Sequence, residues 1–153
     1  MININVIVNN NTWKKYIKDS DKYLKKKIKK IAKNEFFKKT NFELSILLTG
    51  NKEIKKLNKK FRKKNKSTDV LSFPSYQKKE IKVLLKKKTK FYLGDIVINI
   101  NKIDHKKNSQ GVKNNLNMLL IHGLLHLMGY RHGINKDYIK MHNLEKKLLI
   151  FIN

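Results

Sequence analysis

At 153 residues the chain can bury one hydrophobic core without staples, and having no cysteine it can form neither disulfides nor a thiolate metal site. Its 37 basic residues against 11 acidic ones give a formal net charge of +26, a field that attracts polyanions and makes their binding salt-dependent. No apolar run reaches the length of a membrane span, and the opening MININVIVNN lacks the flanks of a signal peptide, so a cytoplasmic protein with a nucleic-acid partner is expected.

Nearly every cation is lysine; Arg62 and Arg131 are the exceptions. Together with abundant Asn and Ile this reads as AT-rich codon usage, so most of the lysines are expected to be solvated faces.

In chain order, Ile2 to Val8 alternates apolar and polar and predicts a half-buried strand. Asn11 or Thr12 can cap one long helix with Trp13, Tyr16, Ile17, Leu24, Ile28 and Ile31 on a single stripe. Phe42 to Leu48 predicts a second strand, closed by Thr49-Gly50. Asn51 then caps a helix that turns Ile54, Leu57 and Phe61 inward and a row of lysines outward. Thr68 to Phe73 reads as a short strand stopped by Pro74, the only proline. Residues 75 to 90 are lysine-rich without clear period and predict a loop or irregular hairpin.

Leu93 to Ile100 is an apolar strand, followed by a weak helix near Asn101 to Lys107 and a strong one from Val112 to Met128. The last helix, Asp137 to Phe151, is expected to pack Ile139, Leu144, Leu148 and Phe151. With no repeat and no linker, residues 1–153 read as one domain. About four strands and five helices around one core predict an α+β fold, an α/β sandwich.

The chemistry concentrates in HGLLHLMGYRH. His122 and His126 are four apart, so on a helix they are offset by about 40° and rise about 6 Å, projecting from one face. Gly129 can take positive φ and end the helix, letting His132 return to complete a three-nitrogen site. Three protein ligands and one open position form the arrangement of a catalytic zinc. The spacing matches the HExxHxxGxxH of metzincin proteases, but their general-base glutamate is replaced by Gly123, which argues for hydrolysis of something other than a peptide. His105 and His142 lack such context and read as ordinary surface or packing residues.

The second unusual segment is LNKKFRKKNKSTDVLSFP, residues 57–74. Arg62 ends its helix. A planar guanidinium can grip two phosphate oxygens at once, which an ammonium cannot.

These blocks, together with the LGDIVI strand holding Gly94 and Asp95, resemble the YbeY family of bacterial rRNA-maturation factors, single-strand-specific metal-dependent endoribonucleases. The resemblance implies a small mixed sheet flanked by helices, with the metal-bearing helix crossing it near the C-terminus. It implies one Zn²⁺ held by His122, His126 and His132, with Arg62 beside it. It also implies action on the small ribosomal subunit, in 3′-end maturation of 16S rRNA and in ribosome quality control, with a ribosomal protein or GTPase as partner. Lys59, Lys63, Lys66 and Arg131 are the cations expected to join Arg62 in contacting RNA.

One position departs from the family pattern HGxLHLxGYDH: its Asp is Arg131 here. A carboxylate beside a ligating His could orient the ring and offset the metal's charge; an arginine does neither. That departure, and the absence of an evident general base, support an alternative: a ribosome-biogenesis binding factor with a structural or vestigial zinc and little catalysis.

Overall fold

The structure, a computed structural model, describes residues 1–104 and 108–153; His105 and the end of the weak helix expected at 101–107 lie outside the described residues. Four strands form one mixed sheet: β1 (Ile2–Val8), β2 (Phe42–Thr49), β3 (Val70–Pro74) and β4 (Phe91–Asn99), in the order β1-β2-β4-β3. β1 runs parallel to β2 and β2 to β4, while β3 pairs antiparallel to β4. The central strands β2 and β4 carry apolar residues on both faces, as strands covered on both sides must.

Six α-helices are present among the described residues: α1 (Thr12–Tyr16), α2 (Ser20–Ile31), α3 (Asn51–Arg62), α4 (Lys78–Lys87), α5 (Ser109–Leu127) and α6 (Asn135–Ile152). The main core joins Ile96 and Ile98 of the sheet to Leu24 and Ile28 of α2, Leu116, Leu120 and Leu124 of α5, and Leu148 and Ile152 of α6. A smaller cluster of Ile54, Leu71 and Val97 holds α3 on the other face. The α5 leucines are fully buried, so truncating one to alanine costs about 2–5 kcal/mol. None of these helices is long and apolar enough to cross a membrane.

Several expectations are corrected. The single N-terminal helix is two: Ile17 is extended, and Asp19 restarts the helix by accepting from Lys22 N–H at 2.9 Å. Residues 75–90 are not a loop, since α4 begins with a reciprocal cap between Gln77 and Glu80 and buries Ile81. Gln in place of the usual Ser or Thr hides that signature in the sequence. Gly50, not Asn51, caps α3, and Phe61 on that helix is 58% exposed, resting edge-on against Phe73.

In α6 the buried positions are Met141, Leu148 and Ile152, whereas Ile139 and Phe151 are exposed. The inward stripe 141-145-148-152 contains Glu145, a carboxylate that disguises it as polar. The weak helix after β4 is a single 3-10 turn over Ile100–Lys102.

Gly94 sits at the register shift where β4 bulges against β2, at φ +143°. A Cβ there would lie 2.2 Å from the Phe73 carbonyl oxygen. Gly94→Ala is therefore expected to cost about 1–3 kcal/mol in backbone strain alone, with the clash adding to it. Gly133→Ala, which meets nothing within 4 Å, serves as the control; urea denaturation of both reads the difference.

Candidate metal centre

α5 crosses the sheet with Gly123 against it: a Cβ at 123 would stand 2.8 Å from Ile96 Cγ2 and 3.2 Å from Ser72 Oγ. The Ser72 hydroxyl donates to the Gly123 carbonyl at 3.3 Å. The residue after His122 is thus turned into the sheet. A glutamate there would drive into Ile96 rather than reach the imidazoles, so Gly123 is a packing requirement as well as a missing base.

The helix then closes in a Schellman motif. Gly129, at φ +84°, donates to the His126 carbonyl at 2.9 Å, and Tyr130 N–H donates to Leu125 at 3.0 Å. This reversal brings His132 back over the helix end. Ring centroids are 4.5 Å apart for His122–His126, 5.0 Å for His126–His132 and 5.6 Å for His122–His132. One candidate ligand nitrogen from each ring lies within 4.8 Å of the other two.

Hydrogen bonds anchor two of the rings through Nδ1. His122 Nδ1 meets Glu145 Oε1 at 2.7 Å, and His126 Nδ1 donates to the Tyr130 carbonyl at 2.9 Å. The Nε2 atoms of the two rings face each other at 3.0 Å. A tetrahedral site with Zn–N of 2.0–2.1 Å sets its nitrogens about 3.3–3.4 Å apart, close to that spacing.

The residues therefore fit a divalent metal that favours imidazole. Burial, reinforced by the neighbouring His122, lowers the His126 pKa to about 4, so this ligand is neutral and available at pH 7.

Glu145 was not singled out in the sequence. It reaches His122 from α6, 23 residues away, and is largely buried. The only local signal was its place on the inward stripe. His142, read as a packing residue, stacks on Tyr138 with rings 5.6 Å apart and lies outside the triad.

The triad opens into a cavity of about 550 Å³ that Arg62, Thr68, Asp69, Ser72 and Arg131 also line. Arg62 is the last residue of α3; Lys63 turns into the left-handed region at φ 60°, and buried Asn58 donates to the Lys66 carbonyl at 2.8 Å, clamping the turn toward β3. This brings Arg62 to the histidines. Lys59, Lys63 and Lys66 are exposed but do not line the cavity. Asp69, also unremarked in the sequence, is the one carboxylate lining it among the described residues, with Oδ1 accepting from Val70 N–H at 2.8 Å. Asp95 of the LGDIVI block faces the α3 side, accepting from Tyr92 at 2.6 Å.

Two outcomes are expected. Glu145→Ala should lower metal affinity about 10–100-fold, read by chelator competition with zinc as probe. Metal-free protein should lose stability as pH falls from 6.5 toward 4, because His126 takes up a proton near 6.5 when unfolded but resists to about 4 when folded. His126→Ala should flatten that slope in thermal melts.

Comparison with known proteins agrees with this geometry. The family model described as Endoribonuclease YbeY matches residues 7–153. A protein of that name from Pelagibacter ubique is 41% identical, the match covering 99% of this chain and 97% of the relative. One from Caldicellulosiruptor bescii is 35% identical over 86% and 88% of the two chains. A solution structure of a Thermotoga maritima protein superposes with a TM-score of 0.61 at 26% identity, covering 99% of this chain and 89% of that one. Matched over nearly its whole length in sequence and in fold, the chain belongs to the endoribonuclease YbeY family.

Proposed function

We propose that this chain cleaves single-stranded ribosomal RNA with one zinc ion held by His122, His126 and His132. Its role would be maturation of the 3′ end of small-subunit rRNA and ribosome quality control in the cytoplasm, with the small subunit and a ribosomal protein or GTPase as partners. The observation that carries the reading is the convergence of three imidazoles in a cavity that also holds Arg62. The family name supplies the reaction class, hydrolysis of an internal phosphodiester.

When bound, a zinc ion supplies a Lewis acid and lowers the pKa of its water, giving a nucleophile near neutral pH. The rest is the work of side chains. Glu145 and the Tyr130 carbonyl engage His122 and His126 at Nδ1, and the Nε2 atoms of these rings, with His132, would hold the ion. Arg62 grips the non-bridging oxygens of the phosphodiester and stabilises charge developing on them. Asp69, which lines the cavity, would be the group that accepts a proton. Lys59, Lys63 and Lys66, around the end of α3, add backbone affinity without reading base identity.

The alternative of a binding factor with a vestigial zinc drew support from Arg131. The carboxylate that Arg131 replaces in the family pattern has a counterpart in Glu145, which orients His122 from another helix. That weakens the alternative.

Arg62→Glu should keep zinc stoichiometry and folding and lower cleavage of a single-stranded RNA by at least about 10²-fold. His126→Ala should lose both zinc and cleavage. Continued rRNA processing in cells carrying His122→Ala with His126→Ala would instead assign the protein a binding role.

A further inference from the structure

The centre opens on two sides. Beyond the cavity that holds Arg62, a second one of about 880 Å³ runs along the start of α4 and the segment before it. Both are lined by Pro74, His126 and Arg131, so they meet at the histidines. The second carries Tyr76, Lys78, Lys79 and Lys82. Its one acid among the described residues, Glu80, is engaged in accepting from Gln77 N–H at 2.6 Å.

The second cavity is held in register with the first. A Cβ on Gly129 would stand 2.7 Å from Lys78 Cβ, so the glycine that turns α5 also admits the first turn of α4. Lys78 Nζ lies 5.4 Å from the Tyr130 ring centroid, and Tyr130 is the residue whose carbonyl orients His126. The lysines of α4 are thereby fixed relative to the imidazoles.

An enzyme that cuts inside a strand must hold nucleic acid on both sides of the broken bond. Arg62 stands on one side only. We propose that the α4 cavity is the second arm of the substrate track. In it Lys79 and Lys82 pair with backbone phosphates, the Tyr76 ring offers a stacking face to a base, and Arg131 sits at the junction of the two arms. This rests on the endoribonuclease reading and assigns α4 and Arg131 a task within it. Arginine at 131 then adds phosphate affinity where the strand passes from one arm to the other.

The test measures binding of a nuclease-resistant 2′-O-methyl phosphorothioate oligonucleotide to zinc-loaded protein by fluorescence anisotropy across a salt series. Lys79→Glu with Lys82→Glu is compared with Lys22→Glu with Lys29→Glu on α2, an equal change in net charge away from the centre. The α4 pair should weaken binding at least tenfold more than the α2 pair. It should also flatten the slope of log K against log salt by about 1.4, two single-strand phosphate contacts at about 0.7 each.

Lys79→Gln with Lys82→Gln should give the same slope change and guards against misfolding of the charge-reversed protein. Equal losses from the α4 and α2 pairs would overturn the second arm while leaving the endoribonuclease reading intact. Wild-type protein that neither binds nor cleaves single-stranded RNA would overturn the reading itself, and the second arm with it.

Discussion

The rest of the centre depends on the convergence of His122 and His126, whose Nε2 atoms meet at 3.0 Å. Here neither ring can turn away. His122 is anchored to Glu145 and His126 to the Tyr130 carbonyl, each through Nδ1. Bonds on the far sides of the rings aim both Nε2 atoms at one point. Much of the remaining architecture supplies those anchors: Gly123 seats α5 on the sheet, Gly129 reverses the chain to bring up Tyr130 and His132, and α6 packs so that Glu145 faces inward.

Charge at the centre follows the same logic. A chain with 37 basic residues and 11 acidic ones has little negative charge to place, yet Glu145 is buried against a ligand ring and Asp69 lines the cavity. Arg131, standing where the family pattern has an acid, would by itself raise the positive potential at the metal. The Glu145 carboxylate from α6, 2.7 Å from His122 Nδ1, offsets positive charge there. The lysine excess then acts at longer range, where it draws RNA toward the protein without placing it.

The readable part of the sequence was the part governed by short spacing. The i, i+4 histidines, the glycine at the bend, the alternation in β1 and the apolar runs of β2 and β4 are local patterns, and each appeared close to where expected. The failures have identifiable causes. Asp19 split a stripe that looked continuous, because one capping hydrogen bond outweighs the apolar period. α4 hid beneath lysines and an atypical cap. The face of α6 was misjudged because its inward row includes a carboxylate, which composition alone assigns to solvent.

The sequence by itself marked the three histidines and the helix that carries two of them, because they lie within a window of about a dozen residues where backbone geometry fixes direction. Only the tertiary structure decided the contact of Glu145 with His122, the entry of Arg62 into the histidine cavity, and the second basic cavity along α4. Those depend on elements brought together across tens of residues. The energy that selects such contacts comes from packing around the core, which no local pattern encodes.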